Sequence, residues 1–240
     1  MIPKTIWQTY EAEYYLLPSN IKDYVESWVK DYPDFEYKYM DSTQRENFIL
    51  DNFGKEWYDI FISCPLNIMR SNLWRFMVLY VYGGIYFDLD TSPNYNINNW
   101  LKDEYDVILF ADESEPELLF FIQVIASAPK NPIFKKLIDH LFIIFNSNEY
   151  KTITQYDKYF VFKYGGEIST IQGIKKAIDP SNNISYICKH NEYNNATNSN
   201  IYKFFCYSND YDIFKGKAFT NIDGANNWKT GYTNWWEEAK

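Results

Sequence analysis

Asp88 and Asp90 stand two residues apart in Ile85-Tyr86-Phe87-Asp88-Leu89-Asp90, and this is where the sequence speaks most directly about chemistry. In an extended backbone alternate side chains share a face, so the two carboxylates point the same way while Leu89 points back into the protein. Paired carboxylates repel each other unless a cation lies near them, and oxygen-only ligands suit manganese or magnesium. The bare spacing is a weak signal, because Asp210-Tyr211-Asp212 repeats it with no comparable context and reads as a solvated loop. A strand end capped by water-exposed acids is the plain alternative for Asp88 and Asp90 too; what precedes them argues against it.

The elements that must position these acids are a helix and a glycine break. Leu66, Met69, Leu73, Phe76 or Met77, and Tyr80 recur at three- and four-residue spacing, which predicts a helix with one apolar stripe, and Pro65 suits its first turn. Gly83-Gly84 ends it, since glycine takes the left-handed conformation of a helix C-terminus and lets a neighbouring element approach closely. Ile85-Tyr86-Phe87 is then a short strand running into the carboxylates. On the helix, Arg75 lies one turn from Asn72, so the two face one side together. A guanidinium offers a planar fork of donors, and an amide both donates and accepts.

The ordered run Arg70, Ser71, Leu73, Arg75, Leu79, Tyr80, Gly83, Gly84, Ile85, Tyr86, Asp88, Leu89 and Asp90 resembles the sugar-binding, D-x-D-containing region of the glycosyltransferases of family 32, and more remotely the clostridial glucosylating toxins. The resemblance implies a GT-A-like α/β domain, a divalent cation (Mn2+ or Mg2+) held by Asp90 and assisted by Asp88, and transfer of a hexose. The donor would be a UDP- or GDP-sugar, the acceptor a glycan or other hydroxyl compound, and anomeric configuration would be retained. Arg75 would fix sugar hydroxyls or a phosphate, and Asn72 the sugar, although the family usually has an acid where Asn72 stands. The opening Ile2 to Thr9 corresponds to the first strand of a nucleotide-binding sheet, with Tyr10 in place of a base-stacking tryptophan and Trp7 in place of a histidine. The family also has an amide near Gln123, facing the sugar. Late in the chain Gly224, Asn227 and Trp228 loosely match a closing segment that supplies a metal or diphosphate contact, without its usual histidine.

Periodicity lays out the rest of the chain. A helix is expected from Asn20 to about Lys30, capped by Ser19 and stopped before Pro33, then a strand from Phe35 to Met40 ending at Asp41. Helical segments follow from Ser42 or Thr43 to Asn52 and from Lys55 to Ser63. Strand and helix alternate, which favours an open α/β sheet, and ligands of such sheets bind beyond the carboxyl ends of the strands. Thr9, Tyr10, Asp41, Asp88 and Asp90 are all expected at that edge. Thr91 to Trp100 reads as turn-rich and Tyr105 to Phe110 as a buried strand. Leu118 to Ala126 is a very apolar run around Gln123, more in keeping with a core amide than a ligand contact. Helices are expected from Asn131 or Pro132 to Phe145 and from Ile168 to Ile178, with loops at Asn146 to Thr154 and Asn191 to Asn200. Gly165-Gly166 repeats the earlier glycine pair without a carboxylate pair and reads as coincidence.

Length and composition bound the answer. With 240 residues, 46% hydrophobic and 23% charged, one globular domain with a full core is the expectation, residues 1–112 forming the nucleotide-sugar part and 113–240 the acceptor-side and closing part. A net charge of −9 without a basic stripe argues against nucleic acid as a partner. Cys64, Cys188 and Cys206 show no disulfide or zinc spacing, and no leader or membrane span is evident, so a cytoplasmic, soluble protein is expected. His140 and His190 lie near no recognisable nucleophile, so a hydrolytic triad has no support. Two further readings remain open: a non-catalytic carbohydrate-binding protein, and a glycoside hydrolase, for which adjacent same-face acids on one strand are poorly separated.

Overall fold

A computed structural model describes residues 1–17, 19–89, 97–101, 103, 105–112, 119–178, 193–194 and 203–208. In chain order the elements are β1 (Thr5–Thr9), a 3-10 turn (Tyr14–Leu16), α1 (Ser19–Asp31), β2 (Glu36–Met40), α2 (Ser42–Ser63), α3 (Asn67–Tyr82), β3 (Gly84–Phe87), α4 (Ile97–Trp100), β4 (Val107–Asp112), β5 (Leu119–Ser127), α5 (Pro132–Asn146), α6 (Asn148–Lys151), α7 (Lys158–Gly165), α8 (Glu167–Ile178), β6 (Tyr193–Asn194) and β7 (Lys203–Ser208). The strands form one seven-stranded sheet in the order β2-β1-β3-β5-β4-β7-β6. β1 lies parallel to β2 and to β3, pairing Thr9 with Met40 and Trp7 with Tyr86, so these three strands finish side by side at one edge. The apolar run around Gln123 is β5, antiparallel between β3 and β4, which makes the sheet mixed.

Alternation sorts the side chains of the strands onto two faces. Trp7 and Tyr86 join the larger core with Trp74 and Phe76 of α3, Phe48 and Phe61 of α2, and Phe134 and Leu137 of α5. Ile6, Ile85 and Phe87 point the other way, onto Trp28 of α1 and Tyr32 just after it. The Trp28 and Phe87 rings sit 4.3 Å apart, a contact worth about 1 kcal/mol beyond area burial. Since Asp88 follows Tyr86 by two residues, its side chain falls on the α3 side of the sheet.

The expected helices and strands are present among the described residues; β6 at Tyr193–Asn194, within the stretch expected to be loop, and β7 at Lys203–Ser208 are added to them, and four further differences stand out. The two segments between Ser42 and Ser63 form one continuous element bent at Gly54, whose φ of 80° breaks the helical run. Asn146 to Thr154 is not all loop, because Ser147 caps the short α6 through a hydrogen bond from the Tyr150 N–H. The Thr91–Trp100 stretch closes on a turn of helix, α4. The helix α7, before the second glycine pair, has no strong amphipathic pattern and emerges only from its packing on α3 and α8.

Candidate active site

The glycine pair is a requirement of space as well as of backbone. Gly83 has φ of 69° and Gly84 of 104°, both in the region that L side chains avoid. A methyl on Gly83 would lie 2.7 Å from the Pro129 ring, and one on Gly84 2.6 Å from the Thr5 carbonyl oxygen. Helix α3 therefore turns sharply into β3, and Trp7 fastens the corner by donating its indole N–H to the Gly83 carbonyl at 2.8 Å. The corner aims β3 at the sheet edge and leaves α3 alongside it.

Arg75 and Asp88 meet across that corner. The guanidinium Nη2 lies 3.1 Å from Asp88 Oδ1, with the arginine side chain 2% exposed and the aspartate 29%. Tyr86 acts on both partners: its hydroxyl donates to Asp88 Oδ1 at 2.7 Å, and its ring lies 4.4 Å from the guanidinium carbon. Arg75 Nη1 also donates to the Ile122 carbonyl of β5, which fixes the plane of the guanidinium. One charged oxygen thus stands at the surface end of a strand, held by a buried cation whose own desolvation is offset by a carboxylate, a carbonyl and an aromatic face.

The backbone of Asp88 is held as firmly. Its N–H donates to the Gln123 carbonyl at 2.8 Å, and its carbonyl accepts from the Gln8 side-chain amide at 3.0 Å. Gln8, wholly buried on β1, accepts in turn from the Tyr37 hydroxyl at 2.8 Å. Burial pushes the Tyr37 phenol far above its ordinary range, so it remains a donor at every physiological pH. Leu89 packs with Leu17, Ile21 and Val25 beneath Tyr10, Tyr37 and Tyr39. Three strands and the start of α1 therefore determine where the Asp88 turn sits.

Asn72 lies one turn before Arg75 and is buried. Its Nδ2 donates to the Gly165 carbonyl at 2.8 Å, while its Oδ1 has no hydrogen-bond partner among the described residues; the same holds for Arg75 Nε. Both atoms are buried, an acceptor and a donor on adjacent turns of one helix. Ser71, the neighbour of Asn72, receives Arg45 Nη1 at 2.5 Å, and Arg45 Nη2 pairs with Glu11 beyond the end of β1.

Of the residues singled out in the sequence, Thr9, Tyr10, Asn72, Arg75, Asp88 and Gln123 come together on or beside this edge. The Thr9 hydroxyl donates to the Met40 carbonyl and Tyr10 is half-buried over the Leu17 cluster. Gln123 supplies the carbonyl for Asp88. Asp41 is at the edge as expected, but its carboxylate caps α2 through the Gln44 N–H. Asp90, Asn227, Trp228 and the Asp210-Tyr211-Asp212 pattern lie outside the described residues. Gln8 and Tyr86 were not singled out. Tyr86 could have been, since it shares a strand face with Asp88, whereas nothing local marks Gln8.

Comparison with known proteins agrees with this geometry. Residues 18–108 match a family described as a glycosyltransferase sugar-binding region containing a DXD motif. The chain is 29% identical over 156 residues to an initiation-specific alpha-1,6-mannosyltransferase of Schizosaccharomyces pombe, covering 57% of this chain and 39% of that protein. It is 32% identical over 142 residues to inositol phosphoceramide mannosyltransferase 2 of the same yeast, covering 59% and 39%. An uncharacterized glycosyltransferase, L373, of Acanthamoeba polyphaga mimivirus shares 26% over 144 residues, covering 60% and 57%. The chain thus matches between about two fifths and just over half of the length of these relatives. The PaToxG glycosyltransferase structure superposes with a TM-score of 0.51 at 19% identity over 79% of this chain and 76% of that one, which establishes a GT-A-like fold.

Proposed function

We propose that this chain, a relative of DXD glycosyltransferases, transfers a hexose from a nucleotide-diphosphate sugar to a hydroxyl group of a glycan or similar acceptor, with retention of configuration. The observation that carries the reading is the Arg75–Tyr86–Asp88 group at the end of β3, beside the unpaired Asn72 Oδ1 and Arg75 Nε. In the reaction the anomeric carbon loses its bond to the diphosphate oxygen and gains one to the acceptor oxygen, and the acceptor proton leaves with the nucleoside diphosphate. Negative charge grows on the diphosphate as the bond breaks. Arg75, rigidly held in a buried setting, can oppose that charge or grip the sugar without reorganising. Asn72 Oδ1 would accept a sugar hydroxyl in this reading, and Tyr10 at the end of β1 would offer a face for the nucleobase.

The fit to a divalent cation rests on the chemistry of the donors. Asp88 presents a hard, partly exposed carboxylate at a strand end with no soft ligand beside it among the described residues, which suits Mn2+ or Mg2+ and not zinc. Asp88 would hold the cation with Asp90, and Asn227 and Trp228 would close over the donor. When bound, the cation supplies neutralisation of the leaving diphosphate.

The relatives named as mannosyltransferases make GDP-mannose the first donor to try. No described helix is long and apolar enough to cross a membrane; three cysteines in no pairing pattern support a reducing compartment such as the cytoplasm for the reaction. The test is turnover of GDP-mannose, UDP-glucose and other UDP- and GDP-sugars with and without manganese. Metal-dependent release of a nucleoside diphosphate, lost in Asp88→Asn, is the expected result. Binding and turnover of none of these donors would sink the reading.

A further inference from the structure

Where β1 leaves the sheet, three consecutive large side chains stand in solvent: Tyr14, Tyr15 at 63% exposure and Leu16 at 62%. Other exposed large apolar side chains among the described residues, such as Val29, Leu50, Ile143 and Tyr159, have no such neighbour in sequence. A lone exposed apolar residue needs no explanation, but a contiguous group does. This group is also held still. The Leu16 and Leu17 N–H groups close the 3-10 turn on the Glu13 and Tyr14 carbonyls, Tyr39 donates its hydroxyl to the Ala12 carbonyl, and Lys22 donates to the Tyr15 carbonyl. The Tyr14 ring stands edge-on to Tyr39 at 5.7 Å.

The turn also borders the candidate site. Leu17, the residue directly after it, packs against Leu89, the residue directly after Asp88. At its other end Glu11 is clamped by Arg45, which reaches Ser71 beside Asn72. The chemistry of the surface points to one kind of occupant. An aromatic ring beside a carboxylate matches a pyranose, whose C–H face lies on the ring while its hydroxyls donate to the acid. The Tyr15 hydroxyl hydrogen-bonds the Glu13 carboxylate, which raises the phenol above its ordinary pKa. Glu11 is neutralised by Arg45, and Glu13 with Glu26 near Tyr14 offsets Lys22, so the turn carries no excess of positive charge to hold an anionic lipid surface.

We infer that the Tyr14–Leu16 turn is an acceptor shelf: a neutral glycan lays a sugar ring on Tyr15 and Leu16, gives hydroxyl hydrogen bonds to Glu13, and offers its terminal hydroxyl to the site at Asp88. This rests on the transferase reading for its role, though not for its binding.

The test is saturation-transfer NMR on the full chain with two probes, methyl α-mannopyranoside and an α-linked mannotriose. The trisaccharide binds more tightly than the monosaccharide, and Tyr15→Ala weakens it about three- to tenfold. Glu13→Gln weakens it less, and Tyr159→Ala, an equally exposed tyrosine elsewhere, leaves it as in the parent chain. Both tyrosine variants melt with the parent chain because the side chains are exposed. Equal binding by the two tyrosine variants overturns the inference, as does failure of the parent chain to bind either sugar. So does sedimentation with phosphatidylinositol vesicles that Tyr15→Ala abolishes while trisaccharide binding persists. GDP-mannose and UDP-glucose binding, measured in parallel, separates the two proposals: trisaccharide binding without any donor binding sinks the transferase reading and leaves the shelf as a glycan site.

Discussion

Asn72 on α3 gives a hydrogen bond from its side-chain amide to the Gly165 carbonyl at 2.8 Å, joining positions 93 residues apart. The contact explains the second glycine pair, since a methyl on Gly165 would press the Met69 side chain at 3.2 Å and one on Gly166 would lie 2.9 Å from the Val161 carbonyl. It also gives a physical reason for an amide at a position where the family resemblance implies an acid: a carboxylate cannot donate to a carbonyl.

Asn72→Asp is therefore expected to destabilise the chain. The substitution sets an acceptor against the Gly165 carbonyl in a buried site and leaves both without a donor, at a cost of about 1–3 kcal/mol. Thermal unfolding would show it as a lowered midpoint. A midpoint equal to that of the parent chain would mean that the Gly165 contact contributes nothing.

Gln8 is expected to matter without touching a ligand. Gln8→Leu fills the same space but strands the Tyr37 hydroxyl and the Asp88 carbonyl, a loss of about 2 kcal/mol. Gln8→Glu keeps the acceptor for Tyr37 and loses the donor to Asp88, and it buries a charge as well, so it should be worse. Urea unfolding of the two variants beside the parent chain decides the order. Should Gln8→Glu prove the more stable, the relay from Tyr37 to Asp88 is not how the turn is held.

Asp88→Asn is expected to lower nucleoside diphosphate release about a hundredfold or more. Its backbone contacts to Gln8 and Gln123 are untouched, so the circular dichroism spectrum stays native. Chelation of divalent cations should reduce the parent chain to a similar rate, with recovery on adding manganese. Turnover that survives both treatments would exclude a metal-assisted role for Asp88.

Gly84→Ala is expected to lose at least about 2 kcal/mol, because φ of 104° strains any L side chain and the new methyl meets the Thr5 carbonyl at 2.6 Å. Gly54→Ala, also at positive φ but with open space around it, should lose less. Denaturant midpoints of the two variants test the comparison.

One pH effect lies away from the site. His140 on α5 faces α8, where Lys176 Nζ lies 3.3 Å from its Nδ1, and burial together with that charge lowers its pKa below the ordinary histidine value. The unfolded chain then takes up a proton more readily than the folded one. Stability should fall as pH drops below about 6.5 toward the folded value, and be complete above it. His140→Gln should flatten that slope in unfolding measured between pH 7 and 5; an unchanged slope would assign it to other groups.

Much of this site was legible because its signals are local. The spacing of Leu66, Met69 and Leu73 defines a helix wherever it packs, and positive φ at a helix end calls for glycine. Asn72 and Arg75 share a face for the same reason. These features came from neighbours within a few positions of one another.

What lay beyond reach depended on distant pairs. Leu119 to Ser127 is apolar on both faces, so its sequence carries no sign of direction, and only its pairing with β3 and β4 makes it an antiparallel strand that supplies carbonyls to Arg75 and Asp88. Gln8 and Gly165 look ordinary in sequence because their roles are hydrogen bonds to residues 80 and 93 positions away. Local sequence thus settled the helix, the corner and the carboxylate of the candidate site. Which groups hold that carboxylate, which half of Asn72 remains for a ligand, and what surface stands beside it were decided by chain closure, since a buried polar atom can be assigned a partner only once the fold has brought one to it.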